Sequence, residues 1–186
     1  MLFRSHGYTF DIATKTFSAN INDPNAVSTV TAAINNSDEI AGFFTDKTTG
    51  AIQGFIKNGV HFTTVSAPGA AETELLGIND EGLAVGFDCA VAGCSSGPQH
   101  GIIYNIAKKT FTTLDPPGST ATTFNGLNDR GQIVGFFVDA AGNTDGTLGT
   151  PVPEPSTWIM ILAGFAGLGW LGLGRSRRAQ VARAAL

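Results

Sequence analysis

The chain has 186 residues, 15 acidic against 11 basic side chains and a net charge of −4, with 24 glycines and 13 phenylalanines. Four of the basic residues lie in the last dozen positions, so residues 1–157 hold seven Lys/Arg against fifteen Asp/Glu, a balance of −8. An acidic body with no basic stripe, and no aromatic platform beside one, argues against nucleic acid as a partner. Short Thr/Val/Phe-rich runs between turn residues, with few charges, predict an all-β domain large enough for one core.

The chain opens with Met1-Leu2-Phe3-Arg4-Ser5-His6-Gly7, which lacks the apolar run of roughly 7–15 residues that a secretory signal requires. Two blocks then alternate. The first runs from His6-Gly7-Tyr8 to Lys15-Thr16-Phe17, and returns from Gln53-Gly54-Phe55 to Phe62 and from His100-Gly101-Ile102 to Phe111. The second places Thr five and Ile/Leu ten residues after a proline, with Asn next. It reads Pro24, Thr29, Ile34-Asn35; Pro68, Thr73, Ile78-Asn79; and Pro117, Thr122, Leu127-Asn128, with periods of 44 and then 49. It continues through Asn-Asp-x-Gly to a Gly-Phe pair at 42–43, 86–87 and 135–136. Fixed periods of this size are the mark of a repeat architecture.

Each unit reads as four short antiparallel strands. The first ends at Ile/Leu-Asn. Asn-Asp-x-Gly makes a tight turn in which Asn and Asp bond back to the backbone and Gly82 or Gly131 takes the positive φ. The first copy has Asp38 there, so its turn is less favourable. The glycine inside the second strand (Gly42, Gly86, Gly135) predicts a bulge or a close backbone approach. The third strand begins at the His/Gln-Gly step, and the fourth ends before a proline-rich turn such as Asp115-Pro116-Pro117-Gly118.

Four strands in about 45 residues is the size of a β-propeller blade. The Asn-Asp-x-Gly-x-x-x-Gly-Phe portion, over about residues 5–138, resembles the bacterial extracellular repeats named after a His-Ala-Phe motif (HAF repeats). The repeat domain is therefore placed at 1–138, as a half unit, two full units and a half unit. The two halves could pair to close a ring, but three sheets are few for a propeller. A piece of a larger propeller is the preferred expectation over a three-sheet prism or an open stack, since truncation also accounts for the missing export signal. Residues 139–151 read by composition as a flexible linker, and the spacing of Asp139, Asn143 and Asp145 does not match a calcium loop.

The end of the chain has three parts. Pro153-Glu154-Pro155 comes first. Trp158 to Gly174 then carries no ionisable side chain, near the short end of the roughly 17–25 residues that cross a bilayer as a helix. Arg175, Arg177 and Arg178 follow, with Arg183 in the tail 179–186, and this bias puts the C-terminus in the cytoplasm. In this order the three parts resemble the PEP-CTERM sorting signal of Gram-negative bacteria, over residues 152–178. The resemblance implies recognition by a membrane-embedded exosortase, a precursor held in the inner membrane with its N-terminal domain outside, and delivery to the cell surface or beyond.

In such an oxidising compartment Cys89 and Cys94 are expected to close a small disulfide loop. A metal reading with His100 lacks the spacing and the fourth ligand of a structural zinc site, so no metal or cofactor is expected. His6 and His100 occupy equivalent places and serve the repeat, and no nucleophile elbow, zincin motif or phosphate loop occurs, so no catalytic residue is assigned. The expectation is a non-catalytic surface or matrix protein whose loops bind extracellular polysaccharide or a surface protein. The alternative is an exported glycan-active enzyme, for which a buried carboxyl pair in a cleft is the discriminating observation.

Overall fold

Three reversals built on Asn-x-x-Gly or its variant set the architecture. Gly82 and Gly131 hold φ of 75° and 73°, and Asp38 at the equivalent place is forced to 59°. The left-handed conformation costs an L-residue roughly 1–2 kcal/mol, and Asp tolerates it better than most. The computed structural model describes residues 5–151. Pro153-Glu154-Pro155, the expected membrane helix at about 158–174 and Arg175, Arg177 and Arg178 lie outside the described residues. Among the described residues no helix is long and apolar enough to cross a membrane.

The chain is all-β. A hairpin of β1 (Phe10–Asp11) and β2 (Thr16–Phe17) comes first. Unit one is β3 (Ala26–Ile34), β4 (Ile40–Asp46), β5 (Ile52–Asn58) and β6 (His61–Val65). Unit two is β7 (Glu72–Ile78), β8 (Leu83–Cys89), β9 (Gln99–Asn105) and β10 (Thr110–Thr113). Unit three is β11 (Ser119–Leu127), β12 (Ile133–Asp139) and β13 (Thr144–Gly149). Within each unit consecutive strands pair antiparallel; single parallel bridges, Ile52 to Glu72 and Gln99 to Ala121, join one unit to the next. The sheets do not close on one another.

Residues 139–151, expected as a linker, contain an ordered strand, and the third unit continues past Val138. β13 pairs with β12 from Val138–Thr144 to Ile133–Gly149, and Asp139 anchors the intervening turn by accepting bonds from the Ala141 and Asn143 backbone at 2.8 Å. The open edge of β12 supplies the backbone partners that the sequence Thr-Asp-Gly-Thr-Leu-Gly could not demand by itself. The same pairing occupies the edge that a ring closed by the two half-units would need.

The repeated residues acquire distinct jobs. Gly42, Gly86 and Gly135 lie opposite a bulge in the first strand, and a Cβ on them would come within 2.1, 1.8 and 2.0 Å of the carbonyl oxygens of Val30, Glu74 and Thr123. No side chain fits there. The buried Thr29 and Thr73 hydroxyls accept from the Asp23 and Ala67 backbone N–H groups, at 3.1 and 3.0 Å, and so tie the proline turn to the first strand. In unit three the equivalent donor is missing, because Pro116 has no N–H. Thr122 turns instead to the Ser119 hydroxyl.

Adjacent units are joined by a ladder whose sequence separation is the repeat period itself. The Asn35 amide donates to the Asn79 carbonyl and the Asn79 amide to the Asn128 carbonyl, both at 3.1 Å. The Asn36 N–H donates to Asp80 Oδ1 at 2.8 Å and the Asp80 N–H to Asp129 Oδ1 at 2.9 Å. The repeat Asn also caps its own turn, with Asn79 Oδ1 accepting from the Leu83 N–H. The repeat Asp, expected to bond back to its own turn, serves the unit before it instead.

Apolar cores lie between consecutive units rather than inside any one sheet. Ala41 and Ile56 of unit one pack with Leu75, Ile78 and Ile102 of unit two, and Val85 of unit two packs with Phe124 and Ile133 of unit three. Ile21, Ile40, Phe44 and Phe55 join the β1–β2 segment to unit one. Fully burying a side chain such as Leu75 or Phe55 contributes roughly 1.5–3 kcal/mol, so each unit is held mainly by its neighbour.

Candidate functional site

Unit two is where the chain departs from its own repeat. Glu72 and Glu74 stand where unit one has Ser28 and Val30 and unit three has Ala121 and Thr123. Two residues apart on β7, they share one face of the sheet. Glu72 is 5% exposed, and its Oε2 accepts the Gly93 N–H at 2.6 Å. Burial, then the hydrogen bond and charge of Glu72, push the Glu74 carboxyl up to about 7. Burial and a like charge beside it both disfavour the ionised form of Glu74.

The Glu72 contact reaches into the loop between β8 and β9. Cys89, buried at the end of β8, is bonded to Cys94, with a Cα–Cα distance of 5.4 Å. Inside the loop a single 3-10 turn, Ala92–Cys94, carries Gly93 at φ 71°. Glu72 and the disulfide thus fix the loop at two points, and the Ala71 N–H adds a third by donating to the Cys89 carbonyl at 2.8 Å.

Beside this loop Asp88 faces His100 across the β8–β9 pairing. His100 Nδ1 lies 2.6 Å from Asp115 Oδ2, and the Gly101 N–H donates to Asp115 Oδ1 at 3.1 Å. Burial alone would raise Asp115, but His100, the Gly101 N–H and the Thr122 hydroxyl together hold it below the usual carboxylate range. Asp88 is raised, by burial first and then by the Asp115 charge, against the opposing charge of His100.

A His–Asp pair invites a catalytic reading, and the repeat supplies the argument against it. At equivalent places Gln53 Nε2 donates to the Ser66 hydroxyl at 3.1 Å, and His6 Nδ1 lies 2.5 Å from Asn22 Oδ1. The contact fastens the start of the third strand to the end of the fourth, whatever polar residues supply it. Glu72–Glu74 has no such counterpart. Among the described residues, no group of three or more His, Cys, Asp or Glu could hold a metal ion.

The structure brings Cys89 and Cys94 together; Pro153, Glu154, Pro155 and the Arg cluster fall outside the described residues. The carboxyl pair and Asp88 were missed in the sequence, where the available signal was their departure from the residues at matching repeat positions. Residues 151–178 match the PEP-CTERM protein-sorting motif. A segment of this kind marks an exported protein and is recognised by exosortase, a membrane sorting enzyme. No curated protein matches the chain.

Proposed function

We propose that the chain is a non-catalytic surface or extracellular-matrix protein whose C-terminal segment is read by exosortase at Pro153-Glu154-Pro155, and whose repeat body is a propeller-like module of the HAF-repeat kind. The observation that carries this reading is the sorting-motif match at residues 151–178, placed directly after an acidic, repeat-built body. Two prolines hold Glu154 extended and keep it out of a following helix, which presents its backbone to a membrane enzyme. The apolar residues 158–174 hold the precursor in the inner membrane as a helix, with Arg175, Arg177 and Arg178 on the cytoplasmic side. Removal of that segment releases the body to the surface. There the disulfide-fixed loop of unit two offers polysaccharide or a surface protein a rigid contact.

Replacing Glu154 with Ala tests the sorting step. The expected outcome is full-length protein retained in the inner membrane, seen by fractionation and intact mass. Equal size and location of variant and parent would overturn it.

One observation favours a second reading, an exported glycan-active enzyme: the buried Glu72 and half-buried Glu74, of which Glu74 keeps a proton near neutrality as a general acid must. On that reading Glu74→Gln abolishes release of reducing sugar from surface polysaccharide. On the non-catalytic reading the parent releases none.

A further inference from the structure

The third strand of unit three is held unlike the third strands of the other two units. In β5, Phe55 is fully buried and Ile56 is 5% exposed; in β9, Ile102 is fully buried and Tyr104 is 5% exposed. β6 pairs with the far edge of β5, and β10 with that of β9. β13 has no buried residue, and Leu148, its one large apolar side chain, stands out in solvent. None of its residues belongs to an apolar core, and a side chain at Gly146 would meet nothing within 4 Å. Among the described residues β13 pairs with β12 alone.

What holds the strand is therefore its backbone ladder, from Val138–Thr144 to Ile133–Gly149. The net gain of such bonds over those to water is small, and the conformational freedom given up by each ordered residue offsets it. Thr-Asp-Gly-Thr-Leu-Gly adds little strand preference of its own. A strand with few buried apolar contacts opens locally at far less cost than the whole fold. β12 does not depend on it, since its other edge is paired with β11 from Asp139 to Ile133.

The place of β13 in the sequence gives this weakness a use. Gly149 is paired with Ile133, and only Thr150, Pro151 and Val152 separate it from Pro153. An extended residue spans at most about 3.3–3.6 Å, so with β13 in place Pro153 stays within about 14 Å of Gly149. That is little more than the width of one helix with its side chains, about 10–12 Å. An enzyme that takes the Pro-Glu-Pro box would meet the folded body at once. Releasing residues 140–149 lengthens the tether by up to about 33–36 Å.

We infer that β13 is a detachable spacer, which lies on β12 at rest and leaves that edge when the membrane enzyme takes Pro153-Glu154-Pro155. The inference rests on the sorting reading above and adds to it the part of the folded body that yields.

Locking the strand tests it. Val134 and Leu148 face each other across β12 and β13 and are 50% and 65% exposed, so Val134→Cys/Leu148→Cys places a disulfide there without disturbing a core. In cells carrying the exosortase, the locked full-length chain should be processed at least about tenfold more slowly than the parent or either single variant. Ten Gly/Ser residues inserted after Thr150 of the locked chain should restore the parent rate, because the spacer is then supplied outside the sheet. Adding Glu154→Ala to that rescued chain should leave it full length again. Processing of the locked chain at the parent rate would overturn the inference, as would an insertion that restores nothing. A parent that is never processed would sink the sorting reading, and this use of the strand with it. Hydrogen exchange of the full chain in detergent reads the strand without the enzyme. The amides of β13 should exchange at least about a hundredfold faster than those of β9, and equal protection would show that β13 does not detach.

Discussion

Unit two and unit three are written in nearly the same residues and live in different surroundings. Both carry Ile/Leu-Asn-Asp, a glycine in the left-handed region and a Gly-Phe pair, yet Val85 is fully buried and Val134 is half exposed. Buried area in this molecule is a property of neighbouring units, not of the residue's own sheet. Stability is therefore close to a sum over junctions, and a substitution should be felt according to how many junctions its unit makes.

The largest effect expected tests the part that does not depend on neighbours. Gly86→Ala and Gly135→Ala both drive a methyl into a carbonyl of their own unit, at 1.8 and 2.0 Å. Each should lower the unfolding free energy by roughly 3 kcal/mol or more, at the upper end of overpacking, in either unit alike. Denaturant unfolding followed by circular dichroism would show it, and a mild effect in unit three alone would mean that its bulge is looser than described.

The next substitution should separate the two units. Asn79, 3% exposed, donates to the Asn128 carbonyl and accepts from the Leu83 N–H, so Asn79→Ala removes a partner from two part-buried backbone contacts and leaves a cavity at a buried position, and should cost about 2 kcal/mol. Asn128→Ala loses only contacts within its own exposed turn and should cost less than about 1 kcal/mol. Equal costs by thermal unfolding would contradict the neighbour argument.

The smallest effect concerns the carboxyl pair that unit two alone has. In the unfolded chain Glu74 ionises near its ordinary 4.5, but in the folded chain it keeps its proton up to about 7. Between those values the folded state binds the extra proton, so its stability falls as pH rises through that window, and the loss is complete above it. Midpoints of thermal unfolding for Glu74→Gln and the parent, compared from pH 4.5 to 8, should diverge in favour of the variant as pH rises. Parallel curves would show that the carboxyl is solvated.

Much of the fold was legible because the repeat states it three times. Asn-Asp-x-Gly places a turn, and the glycine before Phe has a local steric cause. β13 was not legible, since its residues have little strand preference and are recruited by an edge that only the folded β12 presents. The ladder was hidden for a related reason. Asp80 beside a turn looks like a local cap, and nothing within its unit reveals that its oxygen is claimed from 44 residues upstream. For the site, the cysteine spacing suggested the loop, while Glu72 and Glu74 show only as mismatches between aligned units. The sorting segment was readable without any fold, because its parts act by charge, apolar length and proline stiffness along a linear stretch.

The ladder runs in one direction, each unit giving hydrogen bonds to the next and taking them from the last. A unit duplicated in the gene would arrive with both halves of that connection already in place, and would seal to its copies without any new residue. The longer second period shows the tolerance this gives, since its extra residues lie chiefly in the Cys89–Cys94 loop, away from the Asn and Asp rungs. Copy number and loop length can thus drift separately in evolution, one set by recombination and the other by whatever the loops meet outside the cell.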